Sequence, residues 1–104
     1  MPAATGAIHH IAVAREWEAA IASGTYRRST LDQSLDDVGF IHCSTADQVP
    51  GTLARIYAGC PEPLVLLTID PAALGGIEVK VEDGFPHVYG PLPTDAVTSV
   101  EPIG

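Results

Sequence analysis

Hydrophobic periodicity, and the places where proline and glycine interrupt it, predict an α+β fold of small mixed or antiparallel sheets with two main helices, in a single domain over residues 1–104. Three observations carry this. Two apolar runs, Ile8–Val13 and Leu64–Ile69, are too short for helices and read as strands buried on both faces. Two segments of helical period, around Trp17 and around Leu53, lie between strands. Finally, 104 residues with 46% hydrophobic and 17% charged side chains make one core that buries roughly two-thirds of the unfolded surface, with no room for a second.

The elements follow in order. After the Ile8–Val13 strand, Trp17, Ala20 and Ile21 fall at i, i+3 and i+4 on one helical face, Glu16 and Glu18 suit the first turn, and Gly24 stands where a left-handed C-cap residue belongs. Ser29–Leu35 reads as a capped helical turn, and Phe40–Ser44 as a second buried strand. Pro50 suits a first helical position, so the second main helix runs over about Pro50–Ala58, with Leu53, Ile56 and Tyr57 on its core face and Gly59 ending it. Leu64–Ile69 is a central strand. Glu78–Glu82 alternates polar and apolar, as a strand with one wet face does. Phe85–Pro93 carries three prolines and reads as a shaped loop or edge segment, and Ala96–Val100 closes the sheet. That last segment, as an edge, leaves open whether the chain is a monomer or pairs with a second copy.

Composition narrows the partners. Five basic against thirteen acidic residues give a charge of −8, which repels nucleic-acid backbones and anionic lipid, and no stretch approaches the length of a membrane span. A small-molecule ligand is the expected partner, on the strength of the histidine-bearing apolar segments, and a protein-interaction domain whose histidines are structural stays open. Cys43 and Cys60 show no metal-ligand spacing and no disulfide scaffold, and Met1–Thr5 lacks the positive start of a signal peptide, so a cytoplasmic setting is expected. Cys43, with nothing nearby to stabilise a thiolate, is expected in the core.

All four histidines sit in apolar segments: Ile8-His9-His10-Ile11, Phe40-Ile41-His42-Cys43-Ser44 and Phe85-Pro86-His87-Val88-Tyr89. Imidazoles drawn inward with apolar neighbours must find hydrogen-bond partners or a ligand, so three such segments converging would line a cleft. Strand period places Phe40, His42 and Ser44 on one face and Phe85, His87 and Tyr89 on another: an aromatic wall for a flat ring, with a hydroxyl beside it. His9 and His10 point to opposite faces, and period does not say which lines the cleft.

These same segments, together with Gln48, Leu66-Leu67-Thr68-Ile69-Asp70 and Glu82, resemble a bacterial family, domain of unknown function 952, over nearly the whole chain. Gly-Phe-Ile-His-Cys-Ser at 39–44 and Phe-Pro-His-Val-Tyr-Gly at 85–90 are its most specific parts. In that pattern the first-strand histidine is His10, and His9, where an aromatic is common, is structural. The family is similar in fold to the ADP-ribosyltransferases of the RNA 2′-phosphotransferase-like branch, which implies an ADP-ribosylation-type fold and NAD as substrate. It further implies that His10 bonds a ribose hydroxyl, that His42 packs on the nicotinamide, and that Ser44 and Thr45 line the pocket.

Cleaving the nicotinamide–ribose bond builds positive charge on the ribose, and Glu82 is the nearest candidate to support it, although the Glu-X-Glu motif of many such transferases is absent. His10, His42 and Glu82 are thus the candidate catalytic residues. Arg27 and Arg28 are candidate pyrophosphate ligands, and His87 and Tyr89 candidate binding groups. The leading expectation is an NAD or ADP-ribose pocket, with or without transfer, and it assigns no metal ligand. Two alternatives are a non-catalytic nucleotide or small-molecule module, and a zinc site of His10, His42 and His87 with one open position.

Overall fold

The computed structural model describes residues 6–31 and 33–103. Strand β1 (Ile8–Val13) leads into helix α1 (Ala14–Ser23), and β2 (Thr25–Tyr26), β3 (Arg28–Thr30) and β4 (Gln33–Ser34) precede a single turn of helix, α2 (Leu35–Val38). Then come β5 (Ile41–His42), α3 (Val49–Ile56), β6 (Leu64–Ile69), β7 (Glu78–Glu82), β8 (Phe85–Tyr89), β9 (Leu92–Pro93) and β10 (Val97–Ile103). The pairings are antiparallel: β1-β6-β10 and β5-β8-β7 are three-stranded sheets, and β2-β9 and β3-β4 are two-stranded ribbons. One bridge, His9 to Ser44, joins the two larger sheets, with His9 N donating to Ser44 O at 2.8 Å and Ser44 N to His9 O at 2.7 Å. No helix among the described residues is long and apolar enough to cross a membrane.

The double-sided apolarity of β1 and β6 has its cause in two cores. Ile8 and Ala12 face one cluster with Trp17, Tyr26, Leu67 and Val88, whereas Ile11 and Val13 face another with Val49, Tyr57 and Leu64 beneath α3. Burying each such Leu or Ile contributes roughly 1.5–3 kcal/mol, so β6, in the middle of its sheet and in both clusters, is the element the fold can least lose. Gly24 ends α1 at φ 92°, a left-handed conformation that costs a side-chain residue about 1–2 kcal/mol.

Four expectations are corrected. Ile21 is 57% exposed; the buried stripe of α1 runs through Trp17 and Ala20 and turns toward half-buried Glu16, which pairs with Arg28. Ser29–Leu35 is not one capped turn. Ser29 and Thr30 belong to β3, and the helix starts only after Ser34, whose hydroxyl accepts from Asp37 N while the Asp37 carboxylate accepts from Ser34 N. Of Phe40–Ser44, Ile41 and His42 pair with β8 and Cys43 N adds one bond to Pro86 O before the chain leaves to bridge to β1 through Ser44.

The largest correction concerns Phe85–Pro93, which supplies β8, the middle strand of its sheet. Its signal lies just upstream. Asp83-Gly84 adopts φ 53° and 83°, both positive as a two-residue type I′ hairpin requires, and this turn pairs β7 with β8. Pro86 survives in a middle strand because its carbonyl accepts from Cys43 N at 2.9 Å, so its missing donor points to the same side, where the chain departs from β8. The closing strand begins at Val97 and runs on to Ile103 as the edge beside β6.

Candidate functional site

Ile41 and Val88 are fully buried and pair across β5 and β8, so the neighbouring pair His42–His87 lies on the opposite, outer face, where His42 is half-buried and His87 is itself covered, 9% exposed. Phe85 and Tyr89 flank His87 on that face, and Phe40 stacks on the His87 ring with centroids 3.9 Å apart and planes 6° from parallel. The His42 ring stands 5.2 Å from Phe85 and 5.8 Å from His87. A cation covers each end: the Arg55 guanidinium from α3 lies 5.5 Å above Phe85, and Lys80 Nζ from β7 lies 5.3 Å above Tyr89. Gln48 Nε2 donates to Gly84 O at 2.7 Å, which ties the turn before α3 to the β7–β8 hairpin and holds the two sides of this face together.

His87 is oriented. Its Nδ1 donates to Glu82 Oε1 at 2.7 Å, and the Tyr89 hydroxyl donates to the same oxygen. Glu82 is consequently held below the usual carboxylate range by Tyr89 first and His87 second, and Tyr89 is pushed up to about 12 by that bond. With Nδ1 engaged as the donor, Nε2 is the ring nitrogen of His87 left over. His42 has no such commitment: neither ring nitrogen makes a hydrogen bond to a described residue, and none of these open imidazole nitrogens is shut off from solvent. Burial, then His87 and Arg55, lower its pKa, so it stands neutral at pH 7.

His10 is the opposite case. It is 3% exposed and lies on the core side of β1, where Nδ1 donates to the His42 carbonyl at 2.6 Å and Nε2 accepts from the Tyr26 hydroxyl at 2.9 Å. Burial lowers its pKa to about 4, against a smaller raising effect of the carbonyl. Neither nitrogen is left for a ribose hydroxyl, so His10 positions the β5 backbone under His42 instead of touching a ligand. His9 is half-buried on the other face, with Nδ1 3.3 Å from Thr68 Oγ1.

The remaining expected residues scatter. Ser44 is buried and shares a hydrogen bond with Thr52 at 3.0 Å, while Thr45 Oγ1 donates to Asp47 at 2.6 Å in a capping turn. Arg27 pairs with Asp36 at 2.7 Å, and Arg28 Nε lies 3.2 Å from Glu16 at an angle too poor for a hydrogen bond. These arginines line a cleft of about 460 Å³ with Arg15 and Tyr26, and no histidine lines it. Nor does any histidine line two further clefts of about 630 and 330 Å³. The three-imidazole zinc site does not form, since His10 faces the core, and no group of three His, Cys, Asp or Glu among the described residues is arranged to hold an ion. Cys43 is buried with its thiol pushed up to about 12, as expected of a core residue.

Sequence reasoning missed Arg55 and Tyr26. Arg55 had a signal, being one of only five cations and lying on the helix that follows the His42 segment. Tyr26 had none, because its partner His10 is sixteen residues away.

No curated protein matches the chain. Among solved structures, the crystal structure of protein CC0527 from Caulobacter crescentus is 35% identical, with a TM-score of 0.77 over 94% of this chain and 86% of that one. A double methionine variant of the same protein gives 0.76 at 34% identity over the same shares. The solution structure of CC0527 gives 0.66 at 33% identity over 90% of this chain and 81% of that one. The family model DUF952, described as protein of unknown function, matches residues 11–100, which takes in both histidine segments of the outer face. With that match and these relatives, the chain belongs to the DUF952 family.

Proposed function

We propose that this protein binds a small ligand carrying a flat ring and an anionic group on the outer face of the β5-β8-β7 sheet, in a cytoplasmic setting, with NAD or an ADP-ribose-type nucleotide as the first candidate. The observation that carries this is the uncommitted His42 imidazole beside Phe85, with the Arg55 guanidinium above that ring. Aromatic and imidazole walls favour a flat π-system, and guanidinium favours phosphate or carboxylate. NAD is put forward by the resemblance of the family to the ADP-ribosyltransferases, in which the histidine at the position of His42 packs on the nicotinamide.

Binding without turnover is the better-supported form. Both groups expected to serve ribose chemistry are occupied, His10 by Tyr26 and the His42 carbonyl, and Glu82 by His87 and Tyr89. The test is thermal unfolding in EDTA with NAD, ADP-ribose, AMP and nicotinamide. A ligand at ten times its Kd adds about 1.4 kcal/mol, which raises Tm by roughly 6–11 °C in a domain of this size. We expect that rise with ADP-ribose or NAD, its loss in His42→Ala, and no nicotinamide release over hours. No shift with any of the four compounds overturns the reading.

A further inference from the structure

Beyond the nucleotide reading, and independent of it, the geometry points to a divalent transition-metal site at the cross-strand pair His42–His87, a two-imidazole chelate with Glu82 behind one ligand. The two residues are direct partners across β5 and β8, and their ring centroids are 5.8 Å apart. An imidazole nitrogen sits about 2.0–2.1 Å from such an ion, which puts each ring centroid about 3.2 Å from it; two rings on one ion then lie about 5–6 Å apart. The observed spacing falls in that range.

Three features make the pair more than two neighbouring rings. First, both ring nitrogens of His42 and Nε2 of His87 are without a hydrogen bond to a described residue, whereas His10 has both nitrogens bonded and His9, in the other sheet, faces away from this pair. Second, Glu82 accepts from His87 Nδ1 at 2.7 Å, the carboxylate–histidine arrangement that fixes the tautomer and raises the basicity of the ligating nitrogen. Third, both partners are held in place. Phe40 stacks flat on His87, and the β5 backbone is pinned at His42 by His10 Nδ1 on its carbonyl and Ser29 Oγ, 3.3 Å from its N–H.

The donor set also names the class of ion. Imidazole suits zinc, nickel and copper, whereas magnesium and calcium prefer oxygen. With two protein ligands, the remaining positions stay open to water or to an anionic ligand, and Arg55 and Lys80 beside the pair favour the anion. The −8 charge of the chain draws cations to the surface as a whole.

The experiment is a calorimetric titration of the untagged, EDTA-treated chain with ZnCl2 and NiCl2, no nucleotide present. We expect one ion per chain, at least tenfold weaker binding in His42→Gln, and about 10- to 100-fold weaker binding in Glu82→Gln. His9→Gln should bind like the unaltered chain. His42 is half-buried and Glu82 exposed, so both variants should keep the fold, which their unfolding curves check. Absence of binding, or stoichiometric binding that survives His42→Gln, overturns the proposal. Because the nucleotide test is run in EDTA, failure here leaves that reading standing, and the reverse also holds.

Discussion

The two three-stranded sheets use histidine in opposite ways. In β1-β6-β10, His10 is buried with both nitrogens bonded and His9 has Nδ1 beside Thr68; in β5-β8-β7, His42 and His87 have three ring nitrogens without a hydrogen bond to a described residue. Besides the two backbone bonds of the His9–Ser44 bridge, a side-chain hydrogen bond from His10 to the His42 carbonyl links the two sheets. A buried imidazole without partners costs about 1–3 kcal/mol per orphaned group, so the two bonds of His10 are part of what holds the fold, and ligand binding is proposed at His42 and His87.

The largest break in this comparison is expected from His10→Ala. It removes a buried ring and orphans the Tyr26 hydroxyl and the His42 carbonyl, which should lower stability by about 3–5 kcal/mol in urea unfolding. His42→Ala should cost less than about 1 kcal/mol, because its half-exposed ring gives up no hydrogen bond. Equal losses in the two variants would erase the distinction.

Acid should act through the same residue. His10 has a folded pKa of about 4 against 6.5 when unfolded, so between those values the unfolded chain binds the extra proton. Stability is therefore full above pH 6.5 and falls as pH drops toward 4, by on the order of 3 kcal/mol in all. His9 and His42, also lowered, add to the loss with the same sign. Urea midpoints taken from pH 7.5 to 4.5 check this, and a flat profile would contradict a neutral, buried His10. Smaller again is Tyr26→Phe, which takes away one donor to His10 Nε2 and should cost about 1–2 kcal/mol by the same measurement.

How much of this was readable without coordinates depends on the range of the interactions. β1, β6, α1 and the Gly24 cap follow from local pattern and were legible, as was the shared outer face of Phe85, His87 and Tyr89, which needs only the two-residue period of a strand. The prolines after Gly84 argued against a middle strand, but Asp83-Gly84 outweighs them by fixing the hairpin, and Pro86 escapes the usual penalty because its absent donor falls where the neighbouring strand ends. The part played by His10 was not legible. It depends on Tyr26 and on a carbonyl thirty-two residues away, and nothing in the spacing of the sequence marks either. Arg27 and Arg28 carried the same difficulty in reverse: adjacent cations suggest an anion site, yet their acidic partners Asp36 and Glu16 come from α2 and α1.

The measurement that bears most directly on the account is a histidine-resolved NMR titration of the EDTA-treated chain with ADP-ribose, following the ring resonances of His10 and His42. The account predicts that His42 shifts and saturates while His10 keeps its Nδ1–H tautomer and does not move. Movement at His10 with none at His42 would contradict it.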